Sequence, residues 1–183
     1  MSEAQLPLDH ALMEPRRVAD SRVLMSLQMN PADANPSGDV HGGTIMKLVD
    51  TAAGVCAMRH CRTRVVTVTM DSMSFLHPVY VGNVVTLYAS VNDVGTTSLE
   101  VGVRVEAENI RTGEKKHTSS AYLVFVALDE QGKPTRVPPL LVETEDERRR
   151  QTHAKIRRES RRARQEAIKR THDPGFMEPG AGE

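Results

Sequence analysis

The sequence predicts an α+β fold in which one long helix lies against an antiparallel sheet, and three observations lead there. A largely apolar stretch of helical length, "GTIMKLVDTAAGVCAMRH" (residues 43 to 60), follows a single strand candidate. Four segments rich in β-branched residues come after it, at 64–75, 82–93, 98–109 and 115–129. The links between them, "HPVYVG", "DVGTTS" and "IRTGE", are short, whereas parallel pairing needs a crossover of a dozen or more residues. The four strands are therefore expected as an antiparallel meander, and one helix on one sheet makes a two-layer unit.

Each element has its own grounds. "SRVLMSLQM" (21 to 29) alternates as a strand does, and "NPADANPSGD" (30 to 39) has the Asn, Pro, Asp, Ser and Gly density of a loop. The helix would be about 27 Å long, enough to cross a small sheet. Among the later strands the period of two is clearest in "VTLYASV" and "LEVGVRVEA". Two adjacent prolines in "PTRVPPLLV" mark the end of the sheet. Residues 143–170 then read as a charged helix, acidic first and basic last, the polarity that the helix dipole favours. Only Ala154, Ile156, Ala163, Ala167 and Ile168 could give it a packing face. The expected organisation is an N-terminal tail (1–17), one domain (18–141), and a charged helix with a disordered tail (142–183). Open sheet edges are usually covered or paired, which suggests a dimer joined through strand edges.

Composition narrows the function. A chain of 183 residues suits one domain. It has no run of about 18 apolar residues and no signal-like N-terminus, so a cytoplasmic protein without a membrane span is expected. Cys56 and Cys61 match neither a zinc pattern nor a disulfide framework. The formal net charge is zero, yet residues 148 to 170 hold eleven Lys and Arg against Glu159 and Glu166. The remainder carries 13 basic and 22 acidic residues, so a basic segment accompanies an acidic body and could dock on it. Seven histidines without HxxxH or HxH spacing give a metal site no local support. There is no GxSxG elbow, and with three Phe, three Tyr and no Trp, stacking platforms for nucleic acid are scarce.

The chemistry concentrates on the long helix. Lys47, Asp50, Thr51 and Gly54 form one polar stripe on an otherwise apolar cylinder. Two readings are open: a water-facing stripe with Lys47 paired to Asp50, or a cleft in which Asp50 is a general base. Gly42 and Gly43 stand where the first turn leaves N–H groups without partners, which invites either an ordinary cap beside His41 or a close-approaching anion.

"NPSGDVHGGTIMKLVDTAAG", "RVVTVTMDSMSFLHPVYVGNVV", "VGTTSLEV" and "AYLVFVALDEQGKPTRVPPL", in that order, resemble the acyl-CoA thioesterases of the hotdog fold. The subgroup that fits includes the cytosolic, brain-type acyl-CoA hydrolases and their bacterial single-domain relatives. The resemblance covers about residues 18 to 141. It implies a sheet wrapped around the central helix, a double-hotdog dimer with sites at its interface, and assembly of such dimers into hexamers. It also implies hydrolysis of acyl-CoA to fatty acid and coenzyme A, coenzyme A being part of the substrate, with no separate cofactor and no metal.

By the same resemblance the catalytic carboxylate falls on Asp50. The loop asparagine falls on Asn35, acting across the interface, with Asp39 as the other residue that the loop offers. The backbone of Gly43, with Gly42 and next to His41, would hold the thioester oxygen. Asp50 would act as general base, or alternatively attack directly through a mixed anhydride. Arg59, Arg62, Arg64, Lys115 and Lys116 are the candidates for the coenzyme A phosphates. The alternative function is an acyl-CoA-binding regulator of the same fold, whose basic segment could contact nucleic acid; nucleic acid is otherwise not an expected partner.

Overall fold

The computed structural model describes residues 14–170. In chain order the elements are β1 (Arg16–Arg17), α1 (Val18–Ser21), β2 (Val23–Gln28), a 3₁₀ turn (Pro31–Asp33), α2 (Gly42–Cys61), β3 (Arg64–Phe75), β4 (Val84–Val94), β5 (Ser98–Asn109), β6 (Glu114–Leu128), β7 (Leu140–Leu141) and α3 (Glu145–Arg170). The expected helices and strands are present, with ends that differ by a few residues. The short β1, which pairs in parallel with β7 (Arg16 with Leu140, Arg17 with Leu141), had no sequence signal. The remaining tail residues, at 1–13 and 171–183, lie outside the described residues, and the disorder expected of the C-terminal stretch lies there too.

The main sheet has the order β2-β4-β5-β6-β3, with every neighbouring pair antiparallel. The expected four-strand meander is therefore corrected to three strands, β4-β5-β6, because β3 pairs with β6 and β2 takes the place beside β4. The cause lies in the segment after β3. Val79 is buried and bonded through its carbonyl to Val40 N–H, and Tyr80 bridges Asp39, so the link crosses from one edge of the sheet to the other against the loop before α2.

α2 touches all five strands of this sheet, the arrangement expected of a hotdog fold. Its buried residues are mostly small: Ile45, Val49, Ala52, Ala53, Cys56, Ala57, His60 and Cys61. They meet Val85, Leu87, Leu99, Val101, Val103, Leu123 and Phe125 from the alternating inward positions of β4, β5 and β6. A Cβ added at Gly54 would stand 3.8 Å from the Phe125 ring, so the helix passes close over that side chain. α2 ends at Arg62, a left-handed cap (φ 58°) whose N–H donates to Met58 O.

α3 lies on the opposite face of the sheet, so the two-layer expectation extends to a third, partial layer. A capping box starts it: Thr144 Oγ1 accepts from Glu147 N–H, and Glu147 Oε2 accepts from Thr144 N–H. Its seat is ionic. Arg22 meets Glu147 at 2.7 Å, Arg158 meets Asp93 at 2.6 Å, Arg157 meets Glu100 at 2.7 Å, and Arg161 meets Asp71 at 2.8 Å. Arg157 also stacks over the Tyr122 ring, 3.6 Å from its centroid. The basic segment docks on the acidic body of its own chain. No described helix is long and apolar enough to cross a membrane.

Phe125 is 1% exposed at the centre of this core, and Phe125→Ala should destabilise the fold by about 3–5 kcal/mol. Chemical unfolding followed by circular dichroism measures this, and a loss below about 1 kcal/mol would contradict the packing. Burial pushes the Cys56 and Cys61 thiols up to about 12. Neither should react with an aromatic disulfide reagent at pH 8 until the chain is unfolded, when both should titrate.

Candidate active site

Asp50 stands in the third turn of α2, on the exposed side next to buried Val49. Its partner is Thr67 of β3 and not Lys47: Thr67 Oγ1 donates to Asp50 Oδ1 at 2.8 Å. Oδ2 has no protein hydrogen bond among the described residues, so the carboxylate is oriented by one oxygen and open at the other. Thr67 faces the helix because of where it sits in β3. It lies opposite inward-facing Phe125, as Val65, Met70 and Met73 lie opposite Ala127, Leu123 and Ala121.

The helix start is built by His41. Its carbonyl accepts from Thr44 and Ile45 N–H, and its ring Nδ1 accepts from Gly43 N–H at 2.9 Å. The Gly43 donor is thus occupied within the protomer, while Gly42 N–H has no acceptor among the described residues. A Cβ at Gly43 would come within 3.0 Å of the His41 ring, so the absence of a side chain is what lets that ring cap the helix.

Asn35 is held in the preceding loop. Its Oδ1 accepts from Ser37 N–H at 2.9 Å and from Asp39 N–H at 3.2 Å, an Asx-type closure that leaves the amide NH₂ available as donor. Asn35, Asp39, Gly42, Phe75, Leu76 and His77 line a cleft of about 320 Å³. A larger cleft of about 920 Å³ lies between α3 and the sheet and includes none of the candidate site residues. Of these two clefts the smaller adjoins the start of α2, and neither is lined by Asp50 or Thr67. Asn35 and Asp50 share no hydrogen bond within the protomer.

The cationic candidates divide between two ends of the molecule. Arg59, Arg62 and Arg64 cluster where α2 passes into β3, with Arg59 Nη1 donating to Arg22 O at 2.7 Å. Lys115 and Lys116 begin β6 and are paired with Glu108 at 3.3 Å and Glu114 at 3.0 Å. Arg64 lies opposite Leu128 and Phe75 opposite Ser119, so the lysines belong to the end of the sheet that holds the cleft and the arginines to the other. Among the described residues no group of three or more His, Cys, Asp or Glu side chains could hold a metal.

Thr67 carries no sequence motif of its own. The signal that could have revealed it is the spacing of Val65, Thr67, Met70 and Met73, which changes from two to three residues where β3 is irregular.

The sequence matches the family model for the thioesterase superfamily over residues 37–114. The uncharacterized acyl-CoA thioester hydrolase YkhA of Bacillus subtilis is 41% identical over 134 residues, 73% of this chain and 78% of its own. Among solved structures, an acyl-CoA hydrolase from Staphylococcus aureus in complex with butyryl coenzyme A, coenzyme A and coenzyme A disulfide is 34% identical. It superimposes with a TM-score of 0.79 over 85% of this chain and 95% of its own. The same hydrolase has been solved with alanine in place of an aspartate, an asparagine and a threonine. An apo-hexameric acyl-CoA thioesterase is 37% identical, with a TM-score of 0.81 over 83% of this chain and 97% of its own.

Proposed function

The chain belongs to the thioesterase superfamily and is an acyl-CoA thioester hydrolase, and from that premise we propose that Asp50 is its general base, oriented by Thr67 and completed by Asn35 of a second protomer. The observation that carries this assignment is the 2.8 Å bond from Thr67 to Asp50, which fixes one carboxylate oxygen and leaves the other for water. A second observation agrees with it. Asn35, Asp50 and Thr67 are separated by 15 and 17 residues, the same intervals that separate the asparagine, aspartate and threonine replaced in the Staphylococcus aureus hydrolase.

The reaction follows from these roles. Asp50 takes a proton from water, the oxygen forms a bond to the thioester carbonyl carbon, and the C–S bond breaks as the coenzyme A sulfur leaves and is reprotonated. Charge that develops on the carbonyl oxygen would be met at the positive end of α2 of the protomer that supplies Asn35, by the Gly42 N–H, and by Gly43 N–H once substrate replaces the His41 ring as its partner. The Asn35 amide, already preorganised by its own loop, orients water or carbonyl. Phe75 and Leu76 supply an apolar wall for the acyl group. The phosphates of coenzyme A would be met by the cationic groups at one end of the sheet, either Arg59, Arg62 and Arg64 or Lys115 and Lys116.

The protomers would join through β3. Its outer edge is unpaired among the described residues, and Val66, Val68 and Phe75 of this strand are 40%, 53% and 52% exposed. Pairing two such strands would close both edges into one continuous sheet and bring Asn35 of one protomer towards Asp50 of the other. Hexamers of such dimers are the further assembly we propose, as in the hexameric relative.

Asp50→Ala should lower kcat for acyl-CoA hydrolysis at least about a hundredfold while the protein stays folded, with smaller losses for Asn35→Ala and Thr67→Ala. Release of the coenzyme A thiol from a panel of acyl-CoAs measures this; Asp50→Ala with wild-type turnover would remove the general base from the proposal. A single turnover in ¹⁸O-labelled water should leave no label in Asp50. Labelled Asp50 would replace general-base catalysis with the anhydride route.

A further inference from the structure

Among the described residues β3 is the outermost strand of the sheet and is paired on one side only, by β6. Two residues of it have no partner in that ladder, Val68 and Asp71, each the extra residue of a bulge. The first bulge immediately follows Thr67, and the second lies four residues from it. Bulges change the direction of the side chains that follow. With plain alternation, Thr69 and Asp71 would share the inward face with Thr67, and a second carboxylate would project beside Asp50. The bulges place Met70 and Met73 inward instead, packed against the core, and turn Asp71 to the opposite face.

On that face Asp71 meets α3. Arg161 Nη1 lies 2.8 Å from its Oδ2 and Arg164 Nη2 lies 3.5 Å from its Oδ1. Asp71 and Arg161 are 9% and 13% exposed, so this pair is nearly enclosed, unlike the surface pairs elsewhere on α3. A carboxylate so enclosed depends on its partner, and the bulged course of β3 and the seat of α3 therefore require each other. The start of the helix is fixed independently, by Arg22 to Glu147 beside β2, and its middle by Arg158 to Asp93 on β4. α3 thus runs from one side of the sheet to the other and fastens the strand that carries Thr67.

We propose that Asp71 and Arg161 are positioning residues for the thioesterase reaction: the pair holds the double bulge of β3, and the bulge holds Thr67 against Asp50. Neither residue touches substrate. Arg164 is a weaker second partner, 63% exposed at the longer distance. The proposal rests on the assignment of Thr67 and Asp50 made above, and Thr67→Ala is the reference that tests that assignment separately.

The experiment uses the full chain, with thiol release from an acyl-CoA that the wild type hydrolyses, for Asp71→Asn, Arg161→Ala, Arg161→Lys, Arg164→Ala, Thr67→Ala and the control Arg104→Ala. Among the described residues Arg104 pairs only with Glu106, on an exposed part of β5, and its loss should leave kcat unchanged. Asp71→Asn and Arg161→Ala should lower kcat about tenfold or more with KM within about threefold. Arg161→Lys should recover most of the loss, and hydrogen exchange should quicken in residues 66–72 and not in β4 or β5. If Asp71→Asn does not fold, the Arg161 and Arg164 variants carry the test. An unchanged kcat in Arg161→Ala, or kcat, KM and melting temperature falling together, would overturn the proposal. A Thr67→Ala enzyme with wild-type kcat would instead overturn the site assignment.

Discussion

The depth at which α2 sits in the sheet governs the rest of the molecule. Ala52, Ala53, Cys56 and Ala57 are all 0% exposed, and they let the helix approach strands whose inward residues are large, Leu87, Leu99, Leu123 and Phe125. Close approach is what allows a side chain as short as aspartate to reach a strand hydroxyl. Had the buried face of α2 been built from Leu and Phe, the axis would stand farther off and Asp50 would meet water instead of Thr67. The same nearness fixes the other end of the site, because the first turn of α2 meets the Phe75 ring at the end of β3, 3.5 Å from where a Gly42 Cβ would be. One helix, set close, therefore fixes both its carboxylate against Thr67 and its positive end against Phe75.

The outer face obeys a different rule. Ser90, Asn92, Asp93, Glu100 and Tyr122 lie where an ordinary sheet would be either wet or apolar, and α3 covers them with arginines. Asp93 is 2% exposed and Glu100 3%, and burial without partners would cost several kcal/mol per ion. Burial pushes the Asp93 carboxyl up, offset in part by Arg158, which lies 2.6 Å away without hydrogen-bond alignment. Burial opposes ionisation of Glu147 as well, but the N–H groups of Glu143 and Thr144 and the guanidinium of Arg22 hold it below the usual range. The unequal division of charge along the chain is thus an internal complementarity. Gly102 belongs to the same layer: a Cβ there would come within 2.6 Å of the Asn92 amide that donates to Glu100.

How much of this could be read from the sequence follows from period. The sequences of β4 up to Val91 and of β5 alternate because each strand is paired on both sides with one face on the core, and those strands were legible within a residue or two despite a register shift in each ladder. The long helix was legible from its apolar length, and Asp50 and the glycines from their departure from it. β3 was legible as a strand but not as a ladder, since bulges at Val68 and Asp71 break its alternation, and Thr67 disappeared with them. The place of β3 beside β6 was also hidden, because link length says how far a chain can go and not which edge it reaches. The pairing of β1 with β7 is a contact between residues more than 120 positions apart, outside any local pattern.

The edge position of β3 ties these observations together. A strand of 12 residues with an open ladder and exposed Val66, Val68 and Phe75 is a liability in an isolated protomer. Such an edge is tolerable if a second copy covers it, and bulges in the strand limit which registers that copy can adopt. Of the two residues that make the edge unusual, Val68 adjoins Thr67 and Asp71 meets Arg161 and Arg164 of α3. A covered edge, a defined register and an oriented Asp50 are then consequences of one strand geometry, so assembly and catalysis cannot be adjusted independently. With asparagine and aspartate supplied by different protomers, as proposed above, that coupling also means that a protomer alone would hold only half of each site.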